Sequence, residues 1–253
     1  MNISFIGSGN VATHMAGALK DQGHNILEIW SLHYDNAKTL ADKVEATAVL
    51  DLEDFDQFAD LYIISVSDDS IAEVQHKLHA VSGLVVHTSG ATDINILSSI
   101  ANYGVMYPLQ TFSKGKRLDF KNVPVCIEAS DPKSLETLKT IANEISNHVY
   151  EIDSQKRKTL HLSAVFACNF VNYMYAVSSK LLEKSNIDFD ILRPLILETA
   201  MKAQIDMPGN IQTGPAVRGD KKTISDHLNL LADNPELSNI YQTLTEGIKK
   251  NWQ

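Results

Sequence analysis

The chain has 253 residues, enough for one large domain or two smaller ones, and 44% of them are hydrophobic, an ordinary share for a globular protein. A formal net charge of -9 argues against broad electrostatic attraction to nucleic acid or to an anionic membrane, yet leaves room for a local phosphate site. Cys126 and Cys168 are the only cysteines and lack C-x-x-C spacing, so neither a disulfide framework nor a zinc knuckle is suggested.

In chain order, residues 3–6 read as an apolar strand that enters Gly7-Ser8-Gly9-Asn10-Val11-Ala12 and leaves as an amphipathic helix over 11–22. Strand and helix signals then alternate. Strands are predicted at 26–30, 46–49, 61–66, 84–87, 105–107, 123–127 and 149–152, and helices at 35–43, 70–78, 94–100 and 132–146. This order predicts an α/β fold of Rossmann type, a mostly parallel sheet with helices on both faces. From 155 to about 185 the chain reads as one long helix without glycine or proline, followed by helices at 190–205, 223–232 and 235–251 and a Gly- and Pro-rich loop at 208–220. A domain boundary is therefore expected after 153: a dinucleotide-binding domain over 1–153 and an all-helical domain over 154–253. The first residues lack a basic segment followed by an apolar one, and no run of 18 uncharged apolar residues is apparent. No signal peptide, no membrane span and a cytoplasmic location are expected.

The opening turn has the pattern G-x-G-x-x-A. Gly7 permits a tight turn off the strand, Gly9 lets the backbone approach a pyrophosphate, and Ala12 lets the helix pack on the sheet. The pyrophosphate would meet Ser8, Gly9, Asn10 and Val11 at the helix N-terminus, where free N–H groups favour anions. An acid at the end of the second strand would bind the ribose 2′-OH of NAD and repel a 2′-phosphate. Here Ser31 holds that position, with His33 two residues on, so NADP is favoured over NAD. Val66 and Ser67 end one further strand, with Asp68 and Asp69 as candidate helix caps. His87-Thr88-Ser89-Gly90 ends another, and both should lie at the carboxyl edge of the sheet, where ligands bind.

On the long helix His161 and Asn169, with Asn172, share one broad face at 3.6 residues per turn. Amid apolar neighbours they either hold substrate or hydrogen-bond across a dimer. His161, His87 and Asn169 are the candidate catalytic residues, either histidine as proton donor and Asn169 as orienting group. The loop containing Thr213 and Gly214-Pro215-Ala216-Val217-Arg218-Gly219-Asp220 is a candidate anion- or substrate-binding segment, Arg218 offering a planar fork that Asp220 could hold, unless Asp220 caps the helix starting near Lys221. His76 and His79 have H-x-x-H spacing without an evident third ligand, so they are read as surface histidines and no metal site is expected.

Together these residues resemble the family of Rossmann-like proteins with a C-terminal DUF2520 domain, which is broadly similar to pyrroline-5-carboxylate reductase and the coenzyme-F420-type NADP oxidoreductases. The resemblance spans essentially the whole chain. It rests on residues 5–12, on His87-Thr88-Ser89-Gly90, on Pro108-Leu109-Gln110-Thr111-Phe112, on His161 with Asn169-Phe170, and on Thr213-Gly214-Pro215 with Arg218-Gly219-Asp220. It implies an NADP-dependent oxidoreductase with a helical C-terminal domain like that of 6-phosphogluconate dehydrogenase, dimerising through that domain. Gln110, Thr213, Arg218 and Asp220 then belong with a small-molecule substrate. Leu32 stands where relatives often carry arginine, and Tyr107-Pro108 where they often carry His-Pro. The Lys-x-x-x-Asn motif of β-hydroxyacid dehydrogenases is absent, since Leu162 lies four residues after Lys158. The expected activity is hydride transfer to or from a small C=O or C=N compound, and the alternative is an NADP-binding sensor or scaffold without turnover. A Rossmann methyltransferase is disfavoured by the helical second half.

Overall fold

Continuous apolar runs become the middle of a sheet because both of their faces can be covered. In the computed structural model, which describes residues 1–78, 81–113, 115 and 118–252, this is what the strands β1 (Asn2–Ile6), β4 (Leu61–Ile64) and β5 (Leu84–His87) do. Nearly every residue in them is buried. Flanking them are β2 (Asn25–Trp30), β3 (Thr47–Val49), β6 (Tyr103–Pro108), β7 (Val125–Ala129) and β8 (Val149–Glu151). The eight-stranded order is β3-β2-β1-β4-β5-β6-β7-β8. All neighbours run parallel except β6 and β7, which the long 109–124 connection leaves antiparallel. The order reverses between β1 and β4, and the crevice at the carboxyl ends of the strands there is where such sheets bind ligands.

The helices cover this sheet for local reasons. Helix α1 (Asn10–Asp21) buries Ala12, Met15, Ala16 and Leu19, a stripe at helical spacing. Helix α2 (Tyr34–Val44) buries Ala37, Leu40, Ala41 and Val44, and α3 (Ile71–Lys77) buries Ile71, Val74 and Gln75. Helix α4 (Pro132–Ile145) starts where Asp131 accepts from the Lys133 and Ser134 backbone N–H groups and Pro132 occupies the first turn. The predicted helix at 94–100 is only a short 3-10 turn, Ile94–Leu97. Asp68 and Asp69 do not cap: Ser67 takes the cap position, and its hydroxyl bonds Ser70 at 2.8 Å.

The long helix is continuous but not uniform. Helix α5 (Ser154–Ala164) passes into a π-helical segment, Val165–Phe170, and then into α6 (Val171–Glu183). Residues 162–179 carry no charge, and Ser154–Glu183 is long and apolar enough, by length and composition alone, to cross a membrane. This departs from the expectation that no such run exists. Its serines and asparagines are outweighed in mean hydropathy by the surrounding Leu, Val, Phe and Ala.

Two units divide the chain, Met1–Met174 and Tyr175–Gln253. Among the described residues no strand follows β8. The second unit contains the rest of α6, then α7 (Arg193–Ile205), α8 (Pro215–Arg218), α9 (Lys221–Leu230) and α10 (Pro235–Trp252). The loop predicted at 208–220 thus includes a short helix, begun by Pro215 and ended by Gly219 at a φ of 71°. Within this unit the Trp252 indole donates to the Gly209 carbonyl at 2.6 Å. Its described residues bury only Ala216 and Thr245, leaving Leu195, Leu197, Met201 and Ile205 exposed.

Candidate active site

The first strand turn divides its two glycines by task. Gly7 sits at a φ of 118°, and a Cβ there would come within 2.1 Å of the Ser65 carbonyl oxygen. Gly7 is therefore demanded by the fold itself. Gly9 has an extended backbone that any residue adopts, and a Cβ there would meet no heavy atom within 4 Å. The backbone at position 9 does not itself require glycine.

That space is a cavity of about 1340 Å³ in the first unit, at the carboxyl ends of β1, β2, β4 and β5 and along α5 and its π segment. Gly7, Ser8, Gly9, Asn10, Val11, Ser31, Val66, Ser67, Thr88, Ser89, Gly90, Gln110, His161 and Asn169 all line it. Ser8 donates to the Ser31 hydroxyl at 2.9 Å, which leaves the Ser31 proton free to be given to a ligand oxygen. Asn10 donates to the Phe112 carbonyl at 2.9 Å and His14 meets the Ser113 carbonyl at 3.0 Å, so the segment after β6 is tied to the start of α1.

The β5 end is shaped by a buried histidine. His87 is fully buried and is not among the cavity-lining residues, so its expected place as a proton donor is not met. Its Nδ1 accepts from the Ser89 backbone N–H at 3.2 Å. Burial, and secondarily the Arg157 guanidinium, push its pKa down to about 3, against a smaller opposing pull from Asp93. It is a neutral ring that shapes the turn. The Ser89 hydroxyl completes that turn by accepting from the Ala91 and Thr92 N–H groups and donating to Thr92 Oγ1 at 3.0 Å. Thr88, Ser89 and Gly90 are thereby presented to the cavity.

His161 projects from α5 into the same cavity, and its Nδ1 lies 3.1 Å from the Tyr107 hydroxyl on β6. Tyr107 is mostly buried, and its pKa is pushed up to about 12 by burial first, with Cys126 and Asp68 adding and Arg157 opposing. The phenol keeps its proton at neutral pH. One turn before His161, Arg157 is fully buried. It pairs with Glu128 on β7 and donates to the Thr92 carbonyl at 2.5 Å and the Ser154 hydroxyl at 3.1 Å. Ser154 in turn donates to Glu128 at 2.7 Å and accepts from the Ile94 N–H at 2.9 Å. This network bolts the start of α5 to the turn after β5 and to β7.

Asn169 lies on the π segment, where a widened turn brings Val165, Ala167 and Cys168 to the cavity as well. Asn172, expected on the same face, is not among the lining residues, because the π segment changes the register assumed from 3.6 residues per turn. Thr213, Arg218 and Asp220 belong to the second unit and do not line this cavity. There Asp220 holds Arg218 at 2.9 Å and gives no side-chain cap to α9. Sequence reasoning missed Asn36, Lys77, Cys168 and Arg157, and gave Tyr107 no role. Asn36 and Lys77 reach the cavity from α2 and α3, elements without a local motif. His76 is exposed on α3, while His79 lies outside the described residues.

A Rossmann-type glycine turn facing a cavity that a long helix lines is the arrangement of a broad class of nucleotide-binding folds. Within it, residues 1–112 match the Rossmann-like domain family and residues 123–248 match DUF2520, a domain of unknown function. The chain belongs to the family of Rossmann-like proteins with a C-terminal DUF2520 domain. A Bacteroides fragilis protein provisionally named an NADP oxidoreductase is 43% identical over 98% of both chains, with a TM-score of 0.94. A Thermotoga maritima protein, TM1727, is 23% identical over 98% of both chains, with a TM-score of 0.83. An imine reductase from Myxococcus stipitatus, in complex with NADP+, is 13% identical over 99% of this chain and 92% of its own, with a TM-score of 0.67. No curated protein matches in sequence.

Proposed function

We propose that this protein is an NADP-dependent oxidoreductase that reduces a small C=O or C=N compound, or runs that reaction in reverse. The observation that carries the reading is Gly9: a glycine that the fold does not require, at a helix N-terminus, facing a cavity larger than most single-ligand pockets. The 43% identical relative named for NADP oxidoreduction supports it. The dinucleotide would be held by Ser8, Gly9, Asn10 and Val11 at its pyrophosphate and by Val66 and Ser67 along its ribose. Ser31, donating rather than repelling, favours a 2′-phosphate. When bound, the reduced nicotinamide supplies a hydride.

The chain's own residues orient the acceptor and manage one proton. Thr88, Ser89 and Gly90 floor the substrate end, Gln110 and Asn169 offer amide groups to orient a carbonyl or imine, and His161 gives a proton to its oxygen or nitrogen. The test is a fluorescence titration with NADPH and NADH, followed by a screen of keto acids, imines and hydroxy acids read at 340 nm. Tighter binding of NADPH and substrate-dependent oxidation are expected. A clear NADH preference overturns the cofactor assignment, and binding without turnover of any substrate class favours a sensor. His161→Ala and Asn169→Ala are expected to leave NADPH affinity nearly intact while lowering kcat by about 10²–10⁴-fold if the group is the acid or its orienting partner. A large fall in Tm with unchanged turnover would assign them to architecture instead.

The exposed apolar residues of the helical part support a second copy of this chain as partner. Phe166, Phe170 and Tyr173 are each about half exposed or more, and Leu195, Leu197, Met201 and Ile205 add to them. A two-fold dimer would cover apolar surface of this kind on each unit. Light scattering in detergent-free buffer is expected to give twice the 28.0 kDa chain mass; a monomer at micromolar concentration contradicts it.

A further inference from the structure

We propose that Tyr107 is a positioning residue that keeps an N–H on His161 Nε2 in both protonation states of the ring, and that Gly90 is glycine to make room for this pair. The inference rests on the reduction proposed above and assigns the machinery behind its proton.

Three observations converge. The Tyr107 hydroxyl and His161 Nδ1 lie 3.1 Å apart, with the rings edge-on at 5.9 Å between centroids. Among the described residues each side chain has this one hydrogen bond, so Nε2 is the ring nitrogen left for a ligand in the cavity. A Cβ on Gly90 would lie 2.6 Å from His161 Nδ1 and 2.7 Å from Tyr107 Cζ, closer than side chains approach. Gly90 does not have a positive φ, so its backbone does not call for glycine; the packed rings do.

The chemistry follows from what a phenol can do. Tyr107 holds its proton across the physiological range, since burial raises its pKa to about 12. Toward neutral His161 the phenol donates to Nδ1, which places the ring proton on Nε2. Toward protonated His161 the same oxygen accepts from Nδ1–H, and Nε2 again carries a proton. A lysine or arginine could only donate here, and a carboxylate could only accept. Tyrosine does both, so Nε2–H faces the cavity before and after the ring takes a proton. In the reduction, the substrate carbon gains the hydride and its oxygen or nitrogen gains the Nε2 proton of protonated His161. The N–H bond breaks and its electron pair stays on Nε2, so the neutral ring first left holds its remaining proton on Nδ1, with the Tyr107 oxygen accepting, and proton exchange with solvent returns it to the Nε2–H form. The oxidised partner is the nicotinamide.

The buried Arg157 network supports this pair from below. It fixes α5 one turn before His161 and holds the carbonyl of Thr92, two residues beyond Gly90. It thereby ties the helix that carries His161 to the turn that follows Gly90.

The experiment compares wild type, Tyr107→Phe and Gly90→Ala. In ligand-free protein at a pH where the ring is neutral, the ¹⁵N shifts of His161 report its tautomer and whether Nδ1 accepts a hydrogen bond. Wild type is expected to show the Nε2–H tautomer with Nδ1 shifted by an accepted bond. Both variants are expected to lose that shift and gain the other tautomer. With substrate, kcat is expected to fall about 10–100-fold in Tyr107→Phe, with KM and the Kd for NADPH changing less than threefold. Unchanged ¹⁵N shifts in Tyr107→Phe overturn the proposal whatever the activity. Altered shifts with unchanged kcat overturn the role in proton delivery. If wild type turns over no compound, the reduction itself fails, and the ligand-free shifts still decide the pairing. Should Gly90→Ala not fold, the isosteric Tyr107→Phe carries the test alone.

Discussion

Gly9→Val is expected to abolish dinucleotide binding while leaving the fold intact. The backbone of Gly9 is extended, at a φ of -69° and ψ of -170°, and open to any residue, and no heavy atom lies within 4 Å of where a Cβ would stand. Replacing glycine at this helix cap costs at most about 1 kcal/mol. The branched side chain would occupy the space where the pyrophosphate must approach the free N–H groups of α1. A loss of at least about 100-fold in NADPH affinity is expected, close to 3 kcal/mol of binding free energy. Gly7→Ala should behave in the opposite way. Its φ of 118° and the 2.1 Å approach to the Ser65 carbonyl make any side chain a folding defect. Titration and thermal melting of the two variants together separate ligand space from backbone need. If Gly9→Val binds NADPH as tightly as wild type, the cavity is not a dinucleotide site.

Why the sequence revealed some of this and not the rest has a physical explanation. β1, β4 and β5 were legible because strands buried on both faces are largely apolar, and short apolar runs bounded by turn residues mark them. The glycine turn after β1 was legible because its signature is local: two glycines and an alanine at fixed spacing. His161 was found from polarity on an apolar helix, a one-dimensional signal. The Tyr107–His161 pair joins residues 54 apart in sequence, and Arg157 meets Thr92 across 65 residues. No spacing rule links such positions, because β-strand order decides which of them become neighbours. His87 shows the reverse failure. Its place at a strand end suggested chemistry, but burial made it a neutral turn-former. The π segment was also unreadable, since residues 165–170 have ordinary helical composition: Asn169 was named from helical spacing, whereas Cys168 at the cavity wall was not.

Arg157→Ala is expected to be the most destabilising single substitution outside the apolar core. The guanidinium is fully buried and its carboxylate partner Glu128 is largely so, at 0% and 17% side-chain exposure. A buried pair of this kind adds little over a well-packed apolar replacement, because taking both charges out of water is costly. Removing one partner is different, since it leaves Glu128 enclosed with only the Ser154 hydroxyl, and leaves the Thr92 carbonyl without its donor. A loss of about 3–5 kcal/mol is expected, lowering Tm by roughly 6–20 °C for a unit of this size. Arg157→Met combined with Glu128→Leu should recover part of that stability, because no unpaired charge remains, so the two losses should be less than additive. Catalysis should not recover with it. The apolar pair fills the volume but no longer ties α5 to the turn that carries Gly90, so the His161 ring loses its fixed approach to the cavity. A double variant that regains both stability and turnover would show that the ion pair serves folding alone.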